Sequence, residues 1–167
     1  MVASGPQMQE YTVELLTDTV QVSGKVSLLG DFILYLNDTQ RLTITVEDAQ
    51  VTPLQTDWRV GGVSRPQAVV PKSKVHILMV ADLNPDALQL MPHPQQLIVY
   101  TDTFVVNATL YIGADTNVPD IFYVSPGPFF PATQAQVYSV KPLNVKIKRA
   151  APVIFIHREH IGVFYQK

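Results

Sequence analysis

The sequence predicts an all-β protein in which one small unit occurs twice. Apolar and polar residues alternate with period two over much of the chain, in short runs rich in β-branched side chains, which is typical of half-buried strands. Short turns with Gly, Pro, Asn and Asp separate these runs. Several segments also recur in the second half of the chain in the same order, which indicates a tandem repeat.

The composition limits the classes of protein to consider. Of the 167 residues, 47% are hydrophobic and 16% are charged, which provides ample material for a core. The sequence has no cysteine, so disulfides, thiolate metal ligands and cysteine nucleophiles are excluded. The formal net charge of -2 lacks the basic excess with which a general nucleic-acid binder neutralises phosphates.

The start of the chain and the length of its apolar runs bear on its location. The first ten residues, MVASGPQMQE, lack the basic start and the apolar stretch of a signal peptide. No apolar run approaches the roughly 18 residues that a membrane-spanning helix needs. We therefore expect a cytoplasmic protein that does not associate with a membrane.

The first half of the chain is predicted to form a succession of short strands. Residues 1–10 are polar and are expected to form a flexible arm. Residues 11–15 and 20–28 alternate, with the apolar side chains on one face of each strand. Residues 32–36 are apolar on both faces between two turns, residues 41–46 alternate again, and residues 47–51 continue that strand or add a short one.

The end of the first half contains a less regular segment. Residues 52–67 carry prolines and glycines around Trp58, which predicts a long loop or an extended hairpin. Residues 68–70 and 75–80 then flank the polar corner Pro71-Lys72-Ser73-Lys74 as strand, corner and strand.

A proline-rich segment separates the two halves. Residues 82–96, DLNPDALQLMPHPQQ, are expected to be a linker. Asn84 is a good N-cap, Pro85 suits the first helical position and Asp86 favours a helix N-terminus. A helical turn or two, stopped by Pro92, is compatible with this pattern.

Matching residues on both sides of this linker define the repeat. Adding 84 to the positions of Thr17-Asp18-Thr19 gives the identical Thr101-Asp102-Thr103, and adding 86 to those of Ala49-Gln50-Val51 gives the identical Ala135-Gln136-Val137. The offset grows by 86 − 84 = 2, so we expect a two-residue insertion within residues 113–128. The 86-residue offset also relates Val70 to Ile156, Lys72 to Arg158, Val75 to Ile161 and Leu78 to Phe164. The predicted units are the first repeat at residues 11–81, the linker at 82–96 and the second repeat at 97–167.

The second repeat carries more apolar surface than one small unit can bury. Val105 and Tyr111 replace Gln21 and Ser27 on the polar face of the second strand. We therefore expect this repeat to pack against the first repeat or against another subunit. The candidate interface residues are Ile98, Tyr100, Val105, Tyr111, Phe129 and Phe130.

With this order of segments, each repeat resembles the Sm-like (LSm) fold, a short, bent, five-stranded barrel of the SH3-like type. The first block of that family is similar to residues 13–26, VELLTDTVQVSGKV, with Asp18 at the turn and Gly24 at the bend. The second block is similar to residues 154–163, IFIHREHIGV, with Arg158 at the corner. The chain also resembles bacterial Sm-like domains of unknown function. The resemblance implies two such barrels in tandem.

The same resemblance locates departures from the RNA-binding members. Those members place an Asp and an Asn in the third loop, beside an Arg-Gly corner. Here the third loop is residues 36–38, Leu-Asn-Asp, in the first repeat and residues 125–128, Ser-Pro-Gly-Pro, in the second. Ser73 and Glu159 stand in place of the corner glycine, and Arg158 is the one corner arginine.

Residues 157–160, His-Arg-Glu-His, are the strongest candidate for metal chemistry. Two histidines three positions apart would share a face of a helix, but at a corner between strands they need not converge, and the spacing indicates no third ligand. We therefore interpret His157 and His160 as exposed turn residues. The sequence contains no catalytic triad and no phosphate-binding loop, since Gly61-Gly62 lacks the following lysine and helix. We expect no enzymatic activity, no metal and no cofactor.

The leading hypothesis is a non-enzymatic interaction or assembly protein. Open barrels of this kind pair their edge strands with neighbours, so we expect a homo-oligomer or a protein partner. An alternative is single-stranded RNA binding through the corners and the basic segment at residues 141–149, which we otherwise interpret as a solvated strand face and a turn. The residues of that alternative are Lys72, Lys146, Lys148, Arg149 and Arg158. A weaker alternative is a small-molecule sensor with a cleft between the repeats and Trp58 in its lid.

Overall fold

The computed structural model describes residues 5–124 and 127–167. Its described residues form one antiparallel sheet of ten strands with one α-helix, which confirms the all-β prediction, and the sheet is open. In this part of the chain no helix has the length and apolar character needed to span a membrane. The strands are β1 Met8–Leu16, β2 Val20–Leu29, β3 Thr43–Pro53, β4 Val63–Pro71, β5 Ile77–Val80, β6 His93–Tyr100, β7 Phe104–Ile112, β8 Phe129–Ser139, β9 Ala150–His157 and β10 Val163–Gln166, and the helix is α1 Phe32–Asn37.

The strand order repeats between the two halves of the sheet. The described strands lie in the order β10-β6-β7-β8-β9-β5-β1-β2-β3-β4, so each half has the same internal order and β9 joins β5 at the centre. The pairing registers also correspond, because Val13 opposite Gly24 becomes Leu97 opposite Ala108 at the 84-residue offset. The duplication seen in the residues is therefore also present in the backbone.

A β-bulge occurs at the same place in both halves. The β2–β3 register shifts between Ser23 and Lys25, and the β7–β8 register shifts between Asn107 and Thr109. The extra residue is Asp48 (φ 49°) in the first half and Gln134 (φ 50°) in the second, 86 positions later. Bulges sharpen the local twist of a strand, so both halves of the sheet bend at equivalent points.

The two bulges differ in the residues packed beside them. A Cβ atom at Gly24 would lie 2.5 Å from the backbone oxygen of Glu47 and 2.7 Å from Cγ1 of Val46. In the second half the equivalent residues are Ala108 and Ala132, both buried. Relative to the first repeat, the second therefore gains a methyl group on β7 and loses two on β8, so only part of the packing volume moves from one strand to its neighbour.

Two hydrophobic clusters meet at the centre of the sheet. On β5, Ile77 and Met79 belong to the cluster of the second repeat, whereas Leu78 and Val80 belong to that of the first. On β9, Ile154 and Ile156 pack in the second cluster, and Val153 and Phe155 pack in the first. Because successive side chains of a strand point to opposite faces, these two strands contribute to both cores.

Some local predictions are confirmed and others are wrong. Residues 52–67 form the extended hairpin between β3 and β4, and the linker contains one 3₁₀ turn, Pro85–Ala87, capped by Asn84. Residues 32–36, which are apolar on both faces, lie in helix α1, because the Asp31 side chain caps its N-terminus by accepting from the Leu34 amide.

Three predicted boundaries also need correction. Residues 141–149 form a loop between β8 and β9 and not a strand face. β1 begins at Met8, inside the predicted arm, whose residues 1–4 lie outside the described part of the chain. β6 begins at His93, inside the predicted linker. Pro94 is accommodated opposite Tyr111 because, among the described residues, β10 covers the outer side of β6 only from Leu97 onwards.

Replacing Gly24 by Ala should force a methyl group against Val46 and the backbone of Glu47. We expect the free energy of unfolding to fall by about 2 kcal/mol, as at other overpacked sites. Val46→Ala alone should also cost about 2 kcal/mol through the cavity it leaves. The double variant should lose about 1 kcal/mol less than the sum, because it recreates the Ala108–Ala132 arrangement in part. Urea unfolding followed by circular dichroism measures all three variants.

Gly61→Ala is the matched control, because a Cβ atom there would meet no atom within 4 Å. Its free energy of unfolding should stay within about 0.5 kcal/mol of the wild-type value. If the effects of Gly24→Ala and Val46→Ala on the free energy of unfolding were strictly additive, this would contradict the inference that packing volume moves between the two strands.

Candidate functional site

The candidate site is built around the joint between the repeats, which is the pairing of β5 with β9. β5 and β9 pair over four positions, Ile77 opposite Ile156 through Val80 opposite Val153, and every side chain of β5 is buried. The amide of His157 extends the pairing by donating to the His76 carbonyl at 3.0 Å. The joint is therefore a continuous strand pairing and not a loose contact between two units.

Helix α1 fastens the first repeat to the second beside this pairing. The Asn37 side chain accepts from the Phe129 amide at 2.9 Å and donates to the Phe129 carbonyl at 3.1 Å, in the manner of a neighbouring strand. The Phe32 ring stacks on Phe155 with centroids 5.4 Å apart and planes at 13°. Helix α1 therefore adds directional hydrogen bonds and aromatic contact to the backbone pairing.

Three histidine rings from both repeats lie together at the corner end of the joint. The His76 and His160 rings stack with centroids 4.0 Å apart, and those of His157 and His160 are 5.1 Å apart. His160 Nε2 donates to the Ser73 carbonyl oxygen at 2.6 Å, which links the two corners directly. His157 Nδ1 accepts from the Glu159 amide at 3.2 Å. The prediction that His157 is exposed is wrong, since only 3% of it is accessible.

Burial controls the charge of two members of this histidine cluster, which is defined as His76, His157 and His160. Burial lowers the pKa of His76 to about 4 and the neighbouring His160 acts in the same direction, against the opposing carboxylates of Asp18 and Asp102. Burial likewise lowers the pKa of His157 to about 4, with His160 acting the same way. His76 and His157 are therefore neutral at pH 7. Within the described residues no group of three or more His, Cys, Asp or Glu is arranged to hold a metal ion.

The two corner cations cap helical segments. Lys72 Nζ donates to the carbonyl oxygens of Tyr35 at 2.8 Å and Asp38 at 3.1 Å, at the C-terminal end of α1. Burial lowers the pKa of Lys72, which is 6% exposed. The equivalent Arg158 donates to the carbonyl oxygen of Phe122 at 3.4 Å, in the corresponding turn of the second repeat. Lys72 therefore directs its charge into the protein and not towards a phosphate.

The remaining residues of the RNA alternative lie at the other end of the sheet. Lys146, Lys148 and Arg149 are exposed in the loop that precedes β9, whereas Arg158 follows the last residue of that strand. A strand of this length spans about 23 Å at roughly 3.3 Å per residue. The predicted basic residues therefore do not form one surface. In the third loop of the second repeat, Ser125 and Pro126 lie outside the described residues.

The predicted interface residues divide into three groups by their exposure. Phe129 and Phe130 are both buried inside the chain. Phe129 packs in the cluster of the first repeat and so joins the two repeats, whereas Phe130 packs in the cluster of its own repeat. Tyr100 is exposed, and its ring lies 6.3 Å from that of Tyr165 on the edge strand β10. The others, Ile98, Val105 and Tyr111, are half-buried.

The two edge strands are the unpaired counterparts of the joint. Neither the outer side of β10 nor that of β4 pairs with another strand among the described residues. Both strands expose large apolar side chains, since Val163 and Val69 are each 58% exposed and Tyr165 is 49% exposed. Unpaired edges with apolar side chains are sites where another strand can add.

An apolar cavity of about 350 Å³ lies where α1, the linker and the second repeat meet. Ile33, Leu90, Met91, Ile112 and Phe130 are among its lining residues. Trp58 lies in the β3–β4 loop and is not among the described residues that line this cavity. The sensor alternative stays a prediction.

Sequence reasoning missed Asn37 as a clamp and His76 as the third histidine. Asn37 resembles an ordinary turn residue, and its partner Phe129 is 92 residues away. His76 has Gly162 as its counterpart at the 86-residue offset, so the repeat gives no signal there. Comparison of the chain with protein-family models, curated proteins and solved structures finds no match.

Replacing Asn37 by Ala should weaken the joint. The change removes two hydrogen bonds and leaves the amide and carbonyl of Phe129 without them, so we expect a loss of about 2 kcal/mol in the free energy of unfolding. Hydrogen exchange of the β5 and β9 amides, together with urea unfolding, measures the effect. Asn117→Ala is the control, because that side chain is exposed and makes no capping hydrogen bond. Equal stability of the two variants would argue against the clamp.

Acidification should destabilise the protein through the histidine cluster. Because the folded-state pKa values of His76 and His157 lie near 4, below the ordinary value of 6.5, the unfolded chain binds these protons first. Their contribution to stability is complete above pH 6.5 and is lost as the pH falls towards 4. The slope should approach about 1.4 kcal/mol per pH unit for each fully titrating histidine.

Chemical denaturation at several pH values between 7.5 and 4.5 measures this slope. His76→Gln should flatten the dependence in that window, even if it lowers the stability at pH 7.5. His93→Gln is the control, because His93 is exposed. A wild-type stability that does not change between pH 7 and pH 5 would refute the prediction.

Proposed function

We propose that this chain is a non-enzymatic assembly protein, built of two Sm-like five-stranded barrels in tandem, which associates with further copies of itself through its edge strands. The observation that carries the proposal is the β5–β9 joint. Within the chain, the fifth strand of the first repeat pairs with the fourth strand of the second. The free edges β10 and β4 are the fifth strand of the second repeat and the fourth strand of the first, so the same pairing is available between copies.

The repeat offset gives the register of that pairing. Inside the chain Leu78 opposes Phe155. Adding 86 to Leu78 gives Phe164 on β10, and subtracting 86 from Phe155 gives Val69 on β4. Phe164 of one copy is therefore expected opposite Val69 of the next, and both are apolar like the residues they replace.

The direction of the backbone groups indicates that the Val69 amide faces the free edge of β4. The Lys72 amide donates to the Leu42 carbonyl, next to β3. Because backbone groups alternate between the two sides of a strand, the Val69 amide points away from β3 towards the free edge. Pro71 has no amide to donate at the next outward position, as is usual for an edge strand.

The contact between copies would be head to tail, since β10 and β4 are different surfaces. Such contacts generate a ring if the rotation between copies closes and a filament if it does not. Pairing with a second copy would also bury the exposed Val69 and Val163 side chains, which reduces the apolar area in contact with water. Assembly would therefore satisfy both the backbone groups and the apolar side chains of the two edges.

Size-exclusion chromatography with light scattering, from about 1 to 100 µM protein, tests the proposal in the micromolar range typical of moderate affinity. We expect a mass of several copies for the wild-type chain. Val69→Pro should shift it towards the monomer, because proline removes the outward amide while the β3–β4 pairing is retained. Val60→Pro, in the exposed β3–β4 loop, is the control. A monomeric wild-type chain over this whole range would refute the proposal.

A further inference from the structure

Within the chain, the two corners at the joint are in contact with each other. The equivalent contact between two copies would involve charged residues. Inside the chain, the His160 ring donates to the Ser73 carbonyl. These residues belong to equivalent 3₁₀ turns, Lys72–Lys74 and Arg158–His160, one in each repeat. The contact therefore joins the middle residue of one turn to the last residue of the other.

The 86-residue offset converts this contact into one between copies. Adding 86 to Ser73 gives Glu159, and subtracting 86 from His160 gives Lys74. If β10 of one copy pairs with β4 of the next as β5 pairs with β9, the Glu159 corner of the first copy meets the Lys74 corner of the second. A contact between a histidine ring and a backbone carbonyl within the chain thus becomes a contact between residues of opposite charge.

Both side chains are available for this contact. Glu159 and Lys74 are exposed, and the ion pair found among the described residues is Lys25 with Glu10, which involves neither. The Lys74 ammonium has three donors and a longer side chain than histidine, so it can reach both the backbone carbonyl and the carboxylate of Glu159.

We propose that Lys74 of one copy pairs with Glu159 of the next, and that this pair selects the head-to-tail partner and makes assembly sensitive to salt. The inference rests on the proposed function, since it requires that copies associate through β10 and β4. The apolar pairing of Phe164 with Val69 supplies the contact area, and the charges discriminate between partners. Attraction between exposed charges is screened by salt, so assembly should weaken as ionic strength rises.

Charge reversal tests the pair. Glu159→Lys and Lys74→Glu should each weaken assembly about five- to tenfold at low salt, because each places like charges at the joint. The double variant Glu159→Lys with Lys74→Glu should recover most of the wild-type affinity. The matched controls are Asp86→Lys and Lys141→Glu, which change the net charge equally at exposed positions away from both edges and should leave assembly unchanged.

Mixing the two single variants provides the decisive readout. In an alternating assembly, one joint would bring the Glu159→Lys substitution of the first variant against the Lys74→Glu substitution of the second. The next joint would bring the native Glu159 of the second variant against the native Lys74 of the first. Opposite charges would therefore meet at every joint, and light scattering on the mixture should show a larger mass than either variant alone at the same total concentration.

The outcomes separate this inference from the proposed function. A monomeric wild-type chain would refute the proposed function, and the inference with it. A wild-type chain that assembles, with single variants that assemble equally well, would refute the charge pair alone. Weakened single variants that neither the double variant nor the mixture restores would show a non-specific charge effect, and would also overturn the inference.

Discussion

The pairing of β5 with β9 is the contact on which the rest of the structure depends. Both strands are buried on both faces where they pair, and each contributes alternate side chains to the two hydrophobic clusters. Separation of the strands would therefore expose both cores as well as the backbone groups of the joint. The Asn37 clamp and the stacking of Phe32 on Phe155 reinforce the same boundary from helix α1. We therefore expect the two repeats to unfold as one cooperative unit, although the sequence shows them as two copies.

The inner joint and the free edges share a strand geometry but differ in side chains. The inner joint combines aromatic stacking with neutral, buried histidines, which suits a permanent contact within one chain. The free edges present apolar residues beside the exposed charges of Lys74 and Glu159, which suits a contact made from solution. The corner cation Lys72 lies inside the protein as a helix cap. Local structure thus explains the basic residue at this corner.

Much of the strand pattern could be predicted because its signals are local. Alternation over residues 20–28 and the turn at Thr17-Asp18-Thr19 depend on neighbours in the chain, and the same pattern recurs 84 residues later. Helix α1 could not be predicted in this way, since a short apolar run is compatible with a buried strand or a helix. The segment at residues 141–149 alternates like a strand, yet in the described sheet it is not one of the paired strands and forms a loop.

The residue pattern alone was enough to establish that the protein is all-β, that it contains a duplication, and where most of its strands and its linker turn lie. These properties follow from side-chain periodicity, capping and turn residues, which act over a few positions. The pairing of β5 with β9, the inward direction of Lys72 and the meeting of His76 with His157 and His160 became known from the folded chain. Each of these contacts joins residues far apart in the chain, and which of them form depends on how the two cores pack together.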